Sequence, residues 1–202
     1  MLKLFCFPRS GNSREVKIVL AEKNIPFESV NVHADASVKE SPEFKKASPQ
    51  GKVPAIIDGD VYMSEAFHIN QYLEKKYPQS ALLPKDADKR AEIESFVNEN
   101  DKSFVRQIGV LVIECLLKPK DEQKEEVKIA QRAKIIEGLK KFDTMLEGKE
   151  HLFGEFSLAD VSVIPHIAAL PILGTGIPAE LQNATAWFER IKKRPSFAAS
   201  QG

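Results

Sequence analysis

Residues 7–14 read FPRSGNSR and place two serine hydroxyls, Ser10 and Ser13, between two arginines. A hydroxyl can donate a hydrogen bond to an anion, and a hydrogen bond to the charged form of a group favours that form. The loop itself contains no cysteine. Cys6 precedes it in the alternating apolar pattern of a strand, so we expect a small buried hydrophobic residue there, not a nucleophile.

The two cysteines, Cys6 and Cys115, form no C-x-x-C pair. None of the histidines has the spacing to a cysteine or serine that a metal site or a catalytic triad would need. The histidines are His33, His68, His151 and His166. We therefore expect no bound metal ion and no catalytic histidine.

Residues 51–66 read GKVPAIIDGDVYMSEA. The Asp58-Gly59 pair between two apolar runs predicts a β-hairpin. Pro54 lacks an N–H, which confines it to the start or the edge of a strand. A helix is predicted from about Glu65. Its first turn offers unpaired N–H groups and a partial positive charge, and this is a site where an anion can bind.

Periodicity predicts the elements that position these groups. Strands are predicted at 2–7, 27–33, 53–57 and 61–63, and helices from Asn12 to Lys23, from Ser41 to Lys46 and from Glu65 to Lys76. Asn12, three residues before Glu15, predicts a capping box for the first helix. The order is β-α-β-α-β-β-α.

A polar, proline-bearing segment follows at 78–86, and the rest of the chain has helical periodicity. The helical stretches are 87–117, 121–146, 158–170 and 180–193. Ser157 and Asp160 have capping-box spacing at the start of the third stretch, and we interpret them as structural. The sequence predicts an α/β domain at 1–77, a linker at 78–86 and an all-helical domain at 87–202.

The charges balance, with 29 basic and 29 acidic side chains among 202 residues. A nucleic-acid partner or an anionic membrane is therefore disfavoured. The start of the chain lacks the basic flank and the length of a signal peptide, and the longest apolar run is too short to span a bilayer. We expect a cytoplasmic protein with no membrane partner.

The ordered motifs resemble the cytosolic glutathione transferase family over nearly the whole chain. The similarity favours the serine-type members, namely the bacterial, theta-like, phi-like or zeta-like ones. Four motifs carry it: Phe7-Pro8 with Ser10 and Ser13, SPEFKKASPQGKVPAIIDGD at 41–60, SEAFHINQYL at 64–73, and FSLADVSVIPHIAAL at 156–170 with AWFERIKKRPSF at 186–197.

The resemblance implies a thioredoxin-like domain at 1–77 followed by a helical bundle. It also implies a cis peptide bond between Val53 and Pro54, which leaves the main chain of Val53 free to pair with extended glutathione. Lys52 and Lys39 are implied neighbours of its glycyl carboxylate.

Family members bind the γ-glutamyl group with a Glu-Ser pair, where this sequence has Glu65-Ala66. The missing hydroxyl predicts weaker glutathione binding, by about ten- to a hundredfold for one hydrogen bond to a charged group. Ser64 is either a compensating ligand or the N-cap of the helix.

The resemblance further implies that Ser10, or alternatively Ser13, donates a hydrogen bond to the glutathione sulfur. This stabilises the thiolate, whose free thiol has a pKa of about 8.5. Phe5 stands where tyrosine-type members could offer a phenol, and no tyrosine lies in the loop. A wall for the second, electrophilic substrate is expected from the stretch 87–117, at Phe104, Arg106, Ile108 and Leu111.

The implied activity is conjugation of the glutathione thiolate to small hydrophobic electrophiles by a homodimer that needs no metal. Two alternatives stay open. One is a glutathione-dependent isomerase of the maleylacetoacetate type, although residues 10–12 read SGN and lack the Ser-Ser-Cys-like loop of such enzymes. The other is a non-catalytic interaction protein built on the same fold.

Overall fold

The computed structural model describes residues 1–201 and forms two compact units. The first unit contains residues 1–84 and the described residues from Lys193 onward, and the second contains residues 85–192. The predicted boundaries at 77 and 87 stay a prediction. The terminal segment follows the helical region in the chain and was predicted to belong to it, whereas its contacts lie in the first unit.

A four-stranded mixed sheet forms the centre of the first unit, with strand order β2-β1-β3-β4. The strands are β1 (Leu2–Cys6), β2 (Phe27–Asn31), β3 (Ala55–Asp58) and β4 (Val61–Ser64). β2 runs parallel to β1, whereas β3 is antiparallel to both β1 and β4. Leu4 and Ile56 are completely buried and bring the central strands into the core.

Four helices belong to the same stretch of chain: α1 (Gly11–Glu22), α2 (Ala36–Glu40), α3 (Pro42–Ala47) and α4 (Ala66–Lys76). Helix α2 was not predicted, because its 5 residues are too few to show helical periodicity and only Val38 packs on the core. The predicted cap at Asn12 was wrong. α1 begins at Gly11 and is capped by Ser10, whose backbone is still extended.

The second unit is helical, with α5 (Ala87–Asn100), α6 (Arg106–Val112), α7 (Glu125–Met145), α8 (Leu158–Ala168) and α9 (Gln182–Lys192). Two π-helical segments, 101–105 and 113–117, extend α5 and α6 into the continuous stretch predicted over 87–117. The capping box of Ser157 and Asp160 is present at the start of α8. The predicted fold class, an α/β domain followed by an all-helical domain, is confirmed.

The last helix, α10 (Pro195–Ala199), packs on α1. Arg194 donates to both carboxylate oxygens of Glu22, with N–O distances of 2.8 and 2.9 Å. Ser196 also donates to Glu22, and the guanidinium of Arg14 lies over the ring of Phe197 at 5.1 Å. These contacts hold the terminal segment in the first unit. Within residues 1–201, none of the helices is both long enough and apolar enough to span a membrane.

Candidate functional site

The register of the sheet brings four loops to one edge. Phe5 of β1 lies opposite Ala55 of β3, and Ala55 lies opposite Ser64 of β4. Cys6, at the end of β1, lies beside Asn31 at the end of β2. The ends of β1, β2 and β4 therefore meet the start of β3. The segments at this edge are 7–10, 32–34, 52–54 and 65–67.

Ser10 closes the loop that follows β1 and opens α1. Pro8 takes the second position of a tight turn, in which the N–H of Ser10 donates to the carbonyl of Phe7 at 2.9 Å. The Ser10 hydroxyl oxygen then accepts from the N–H of Ser13 at 3.2 Å. Because this bond uses a lone pair of Oγ, the hydroxyl proton stays available for an acceptor at the edge.

Ser13 lies in the first turn of α1 and is 0% exposed. Its hydroxyl oxygen accepts from the main-chain N–H of Phe7 at 3.3 Å. This position braces the loop from inside and leaves no surface for a ligand. Of the two candidate hydroxyls, the half-buried Ser10 is the one that solvent reaches.

Arg14 follows on the same helix, half-buried against the terminal segment. Its Nε donates to the Ser200 hydroxyl at 3.4 Å, and burial lowers the pKa of its guanidinium. Nη2 is buried and forms no hydrogen bond within residues 1–201. Arg9, by contrast, is exposed in the turn before Ser10. Both cations therefore lie within about one turn of the start of α1.

The Val53–Pro54 peptide bond is cis, as the resemblance implied. The side chain of Val53 packs on a buried cluster that includes Phe5 and Phe44. Within residues 1–201, the main-chain N–H and C=O of Val53 form no hydrogen bond, since the ladder of β3 begins only at Ala55. A strand-like edge is thus left open beside Ser10.

Ser48 holds the chain just ahead of this edge. Its buried hydroxyl donates to the carbonyl of Lys52 at 2.7 Å and accepts from the N–H of the same residue at 2.9 Å. Gly51 completes the turn with φ of +69° and donates to the carbonyl of Ser48. Ser48 was not among the predicted site residues. Its place before Pro-x-Gly in SPQGKVP was the signal for a side-chain bond that fixes a turn.

Glu65, the N-cap residue of α4, has φ of +74°, a left-handed conformation that is uncommon outside glycine. Within residues 1–201, no side chain caps this helix. Ala66, the first helical residue, is 6% exposed. The N–H groups of the first turn therefore face the edge with their partial positive charge. One of the two expectations for Ser64 was that it caps this helix. It is instead the last residue of β4.

The two lysines proposed for a carboxylate lie in different settings. Lys52 is exposed and follows the Ser48 turn. Lys39 lies in α2, with its ammonium 3.5 Å from Nδ1 of His33. His33 belongs to the segment that follows β2 at the same edge.

Three of the four residues predicted for the electrophile share one face of their helix, and the fourth does not. Phe104, Ile108 and Leu111 are 4%, 2% and 0% exposed and form the inner face of their helix. Arg106 lies exposed on another face. Phe104 alone of the four borders a cleft of about 600 Å³ in the second unit, between α5 and α7. Their role toward an electrophile stays a prediction, because periodicity cannot distinguish a core face from a pocket wall.

Cys6 is buried, 3.3 Å from the hydroxyl of Ser29, in the strand position that its spacing predicted. Within residues 1–201, no three His, Cys, Asp or Glu side chains lie together as metal ligands would.

These features define a class of protein. A mixed sheet with a cis proline opposite an uncapped helix start, followed by an all-helical region, is a thioredoxin-like domain joined to a helical domain. Residues 4–81 match the family described as glutathione S-transferase, N-terminal domain, and residues 104–195 match glutathione S-transferase, C-terminal domain.

Known relatives agree over most of the chain. Glutathione S-transferase 3 of Zea mays is 31% identical and aligns over 97% of this chain and 91% of its own. A zeta-class glutathione S-transferase of Euphorbia esula is 34% identical over 83% of this chain and 75% of its own. The structure is similar to that of a Burkholderia graminis glutathione transferase with two glutathione molecules bound per subunit. That comparison has a TM-score of 0.86 and 25% identity, over 99% of this chain and 87% of the other.

The chain belongs to the glutathione S-transferase family. The resemblance read from the motifs is therefore confirmed, with plant phi-class and zeta-class members among the relatives.

Proposed function

We propose that this protein is a serine-type glutathione transferase that joins the glutathione thiolate to small hydrophobic electrophiles. The observation that carries the proposal is the Ser10 hydroxyl, held as the cap of α1 with its proton unused, at the edge where Val53 is unpaired.

Glutathione lies extended in this proposal, and its cysteinyl main chain pairs with the N–H and C=O of Val53. The open first turn of α4, at Glu65 and Ala66, receives the γ-glutamyl carboxylate. Ser64, one residue earlier, and the exposed Lys52 are secondary candidates for contacts. The sulfur then lies beside Ser10.

Ser10 acts as a hydrogen-bond donor to the sulfur and not as a base. A donor stabilises the thiolate over the thiol, and the start of α1 and the guanidinium of Arg14 favour the same charge. Each unit by which the thiol pKa falls corresponds to about 1.4 kcal/mol. The thiol proton leaves to solvent. The thiolate attacks the electrophilic carbon, a C–S bond forms, and the leaving group departs with its electron pair.

The isomerase alternative has one observation in its favour, the zeta-class relative. A cis-trans isomerase returns glutathione unchanged, whereas a transferase consumes it with the electrophile. Incubation with maleylacetoacetate and with an aryl halide, followed by quantification of free glutathione, separates the two.

The serine assignment is tested with immobilised glutathione and an aryl-halide electrophile in the wild type, Ser10→Ala and Ser13→Ala. We expect Ser10→Ala to bind glutathione and to lose most of its turnover. Ser13→Ala is expected to be less stable, with turnover per folded molecule close to that of the wild type. A wild type that does not bind glutathione would favour the non-catalytic interaction protein.

The homodimer implied by the family also stays a proposal. A dimer would sediment at twice the chain mass of 22.6 kDa.

A further inference from the structure

Residues 77–83 follow α4, and the ammonium of one lysine binds their main chain. Composition predicted a linker here, because the segment is polar and contains proline. In the structure, Nζ of Lys23 donates to the carbonyl of Tyr77 at 2.8 Å. It also donates to the carbonyls of Gln79 and Ser80, at 3.4 and 3.3 Å. These hydrogen bonds set the path of the segment as it leaves α4.

Lys23 also belongs to a buried ion pair. Its ammonium lies 2.6 Å from Oε1 of Glu74 on α4, and the two side chains are 0% and 3% exposed. Both carboxylate oxygens of Glu74 accept from the N–H of Leu82 at 3.1 Å. Lys23 directly follows α1, and α1 packs on α4. The pair therefore connects two helices of the first unit to the segment that follows them.

A buried ion pair contributes little net stability by itself. Removal of both charges from water costs free energy that their attraction offsets only in part, so a well-packed apolar pair often stabilises a fold equally well or better. An apolar pair, however, could bind neither the carbonyls of 77–80 nor the N–H of Leu82. The buried charges therefore supply a defined path for the segment. Leu82 and Leu83, each 5% exposed, anchor its end in the first unit.

We propose that Lys23 and Glu74 form a latch that holds residues 77–83 as a fixed strap on the first unit. With the latch closed, the free connection to the second unit is confined to residues 84–86. With the latch open, the connection extends over residues 77–86. The latch thus determines how long a free chain joins the two units, and the predicted linker is for the most part a fixed element.

The test is digestion of the native protein with thermolysin, which cleaves ahead of leucine, with the first cut located by mass spectrometry. Lys23→Met/Glu74→Leu replaces the pair by apolar side chains and should keep roughly the stability of the wild type in urea. Cleavage between the exposed Ala81 and Leu82 should become about tenfold faster or more, because the charged partners of the strap are gone.

Lys3→Met/Glu43→Leu is the matched control, because it removes an exposed ion pair of the same unit. Its strap should be cleaved as slowly as that of the wild type. The inference is overturned if Lys23→Met/Glu74→Leu is cleaved at Ala81–Leu82 no faster than the wild type. Added cuts spread over the whole chain would also overturn it, since the pair would then only stabilise the fold.

Hydrogen exchange in the wild type tests the latch without any substitution. The amide of Leu82 should exchange as slowly as the amides of α4, because it donates to the buried carboxylate of Glu74. Exchange of this amide at the rate of an exposed loop would show that the strap is not held, and would overturn the inference.

Discussion

The hydroxyl oxygen of Ser10 lies 3.2 Å from the main-chain nitrogen of Ser13 and accepts its hydrogen bond. Capping uses a lone pair of this oxygen, while activation of a thiol uses its proton. The two roles therefore depend on different parts of one hydroxyl, and different substitutions can separate them.

Ser10→Asp should keep the cap and lose the catalytic effect. A carboxylate caps a helix as well as serine does, but it donates no proton and repels a thiolate. We expect unchanged stability to urea and a higher pKa of the bound glutathione thiol. The ultraviolet absorbance of the thiolate measures this pKa. Turnover at neutral pH should fall by about tenfold for each unit of that rise.

Ser10→Thr is the matched control, because it retains both the acceptor and the donor. A Ser10→Asp variant whose bound thiol titrates as in the wild type would show that Ser10 is only a cap.

Ser48→Ala should weaken glutathione binding through the main chain. The substitution removes both bonds to Lys52, each contributing about 0.5–1.5 kcal/mol, and frees the segment ahead of Val53. We expect a higher KM for glutathione with a smaller change in kcat.

Ser41→Ala provides the comparison, because the Ser41 hydroxyl also donates to one main-chain group and accepts from another, at the start of α3. It should lose similar stability in urea and keep the KM of the wild type. Equal KM values for the two variants would contradict a role for Ser48 in the site.

Ala66→Ser should strengthen glutathione binding. The new hydroxyl lies in the open first turn of α4, where a carboxylate would accept its hydrogen bond. We expect the affinity measured by calorimetry to rise by about tenfold or more. His68→Ser, at an exposed position of the same turn, should leave the affinity unchanged, and an Ala66→Ser variant that binds no better would place the γ-glutamyl group elsewhere.

The sequence predicted the elements that have strong periodicity and missed what depends on contacts between them. β1 and the long stretch 87–117 follow from apolar spacing alone, and the motif around Pro54 identified the edge loop. α2, with 5 residues, is too short to show helical periodicity and gave no signal.

The resemblance identified Ser10 as the candidate catalytic hydroxyl, whereas local spacing predicted Asn12 as the helix cap. Asn12 and Glu15 have capping-box spacing, yet Ser10 is the residue whose backbone is extended. The contact between Lys39 and His33 joins residues on separate elements, so no local pattern could show it. An apolar face at the spacing of Ile108 and Leu111 is more often core than pocket wall, and both side chains are buried.

The terminal segment should detach from α1 more readily in acid. Burial raises the pKa of Glu22, but the hydrogen bonds from Arg194 and Ser196 outweigh it and hold the pKa below its ordinary value of 4.5. A lowered folded-state pKa gives stability that is present above the unfolded value and is lost as pH falls through the folded value. The free energy of unfolding measured in urea should therefore fall below about pH 4.5.

Glu22→Gln should make that decline shallower, because the titrating carboxylate is gone. Glu28→Gln, at an exposed position of β2, should leave the pH profile unchanged. Identical slopes for the wild type and Glu22→Gln would exclude Glu22 as a source of the acid sensitivity.

Asp160→Ala should destabilise the second unit by more than the loss of a helix cap. The sequence predicted a cap, worth about 0.5–2 kcal/mol. The structure adds the indole N–H of Trp187, which donates to the completely buried Asp160 at 2.8 Å, and the N–H of Leu152 at 3.2 Å. Because the substitution leaves these buried donors unpaired, we expect a loss of about 3 kcal/mol or more in the free energy of unfolding in urea.

Asp86→Ala is the control, because it removes an exposed cap of α5 and should cost about 1 kcal/mol. Equal losses in the two variants would show that the hydrogen bond from Trp187 to Asp160 adds nothing to stability.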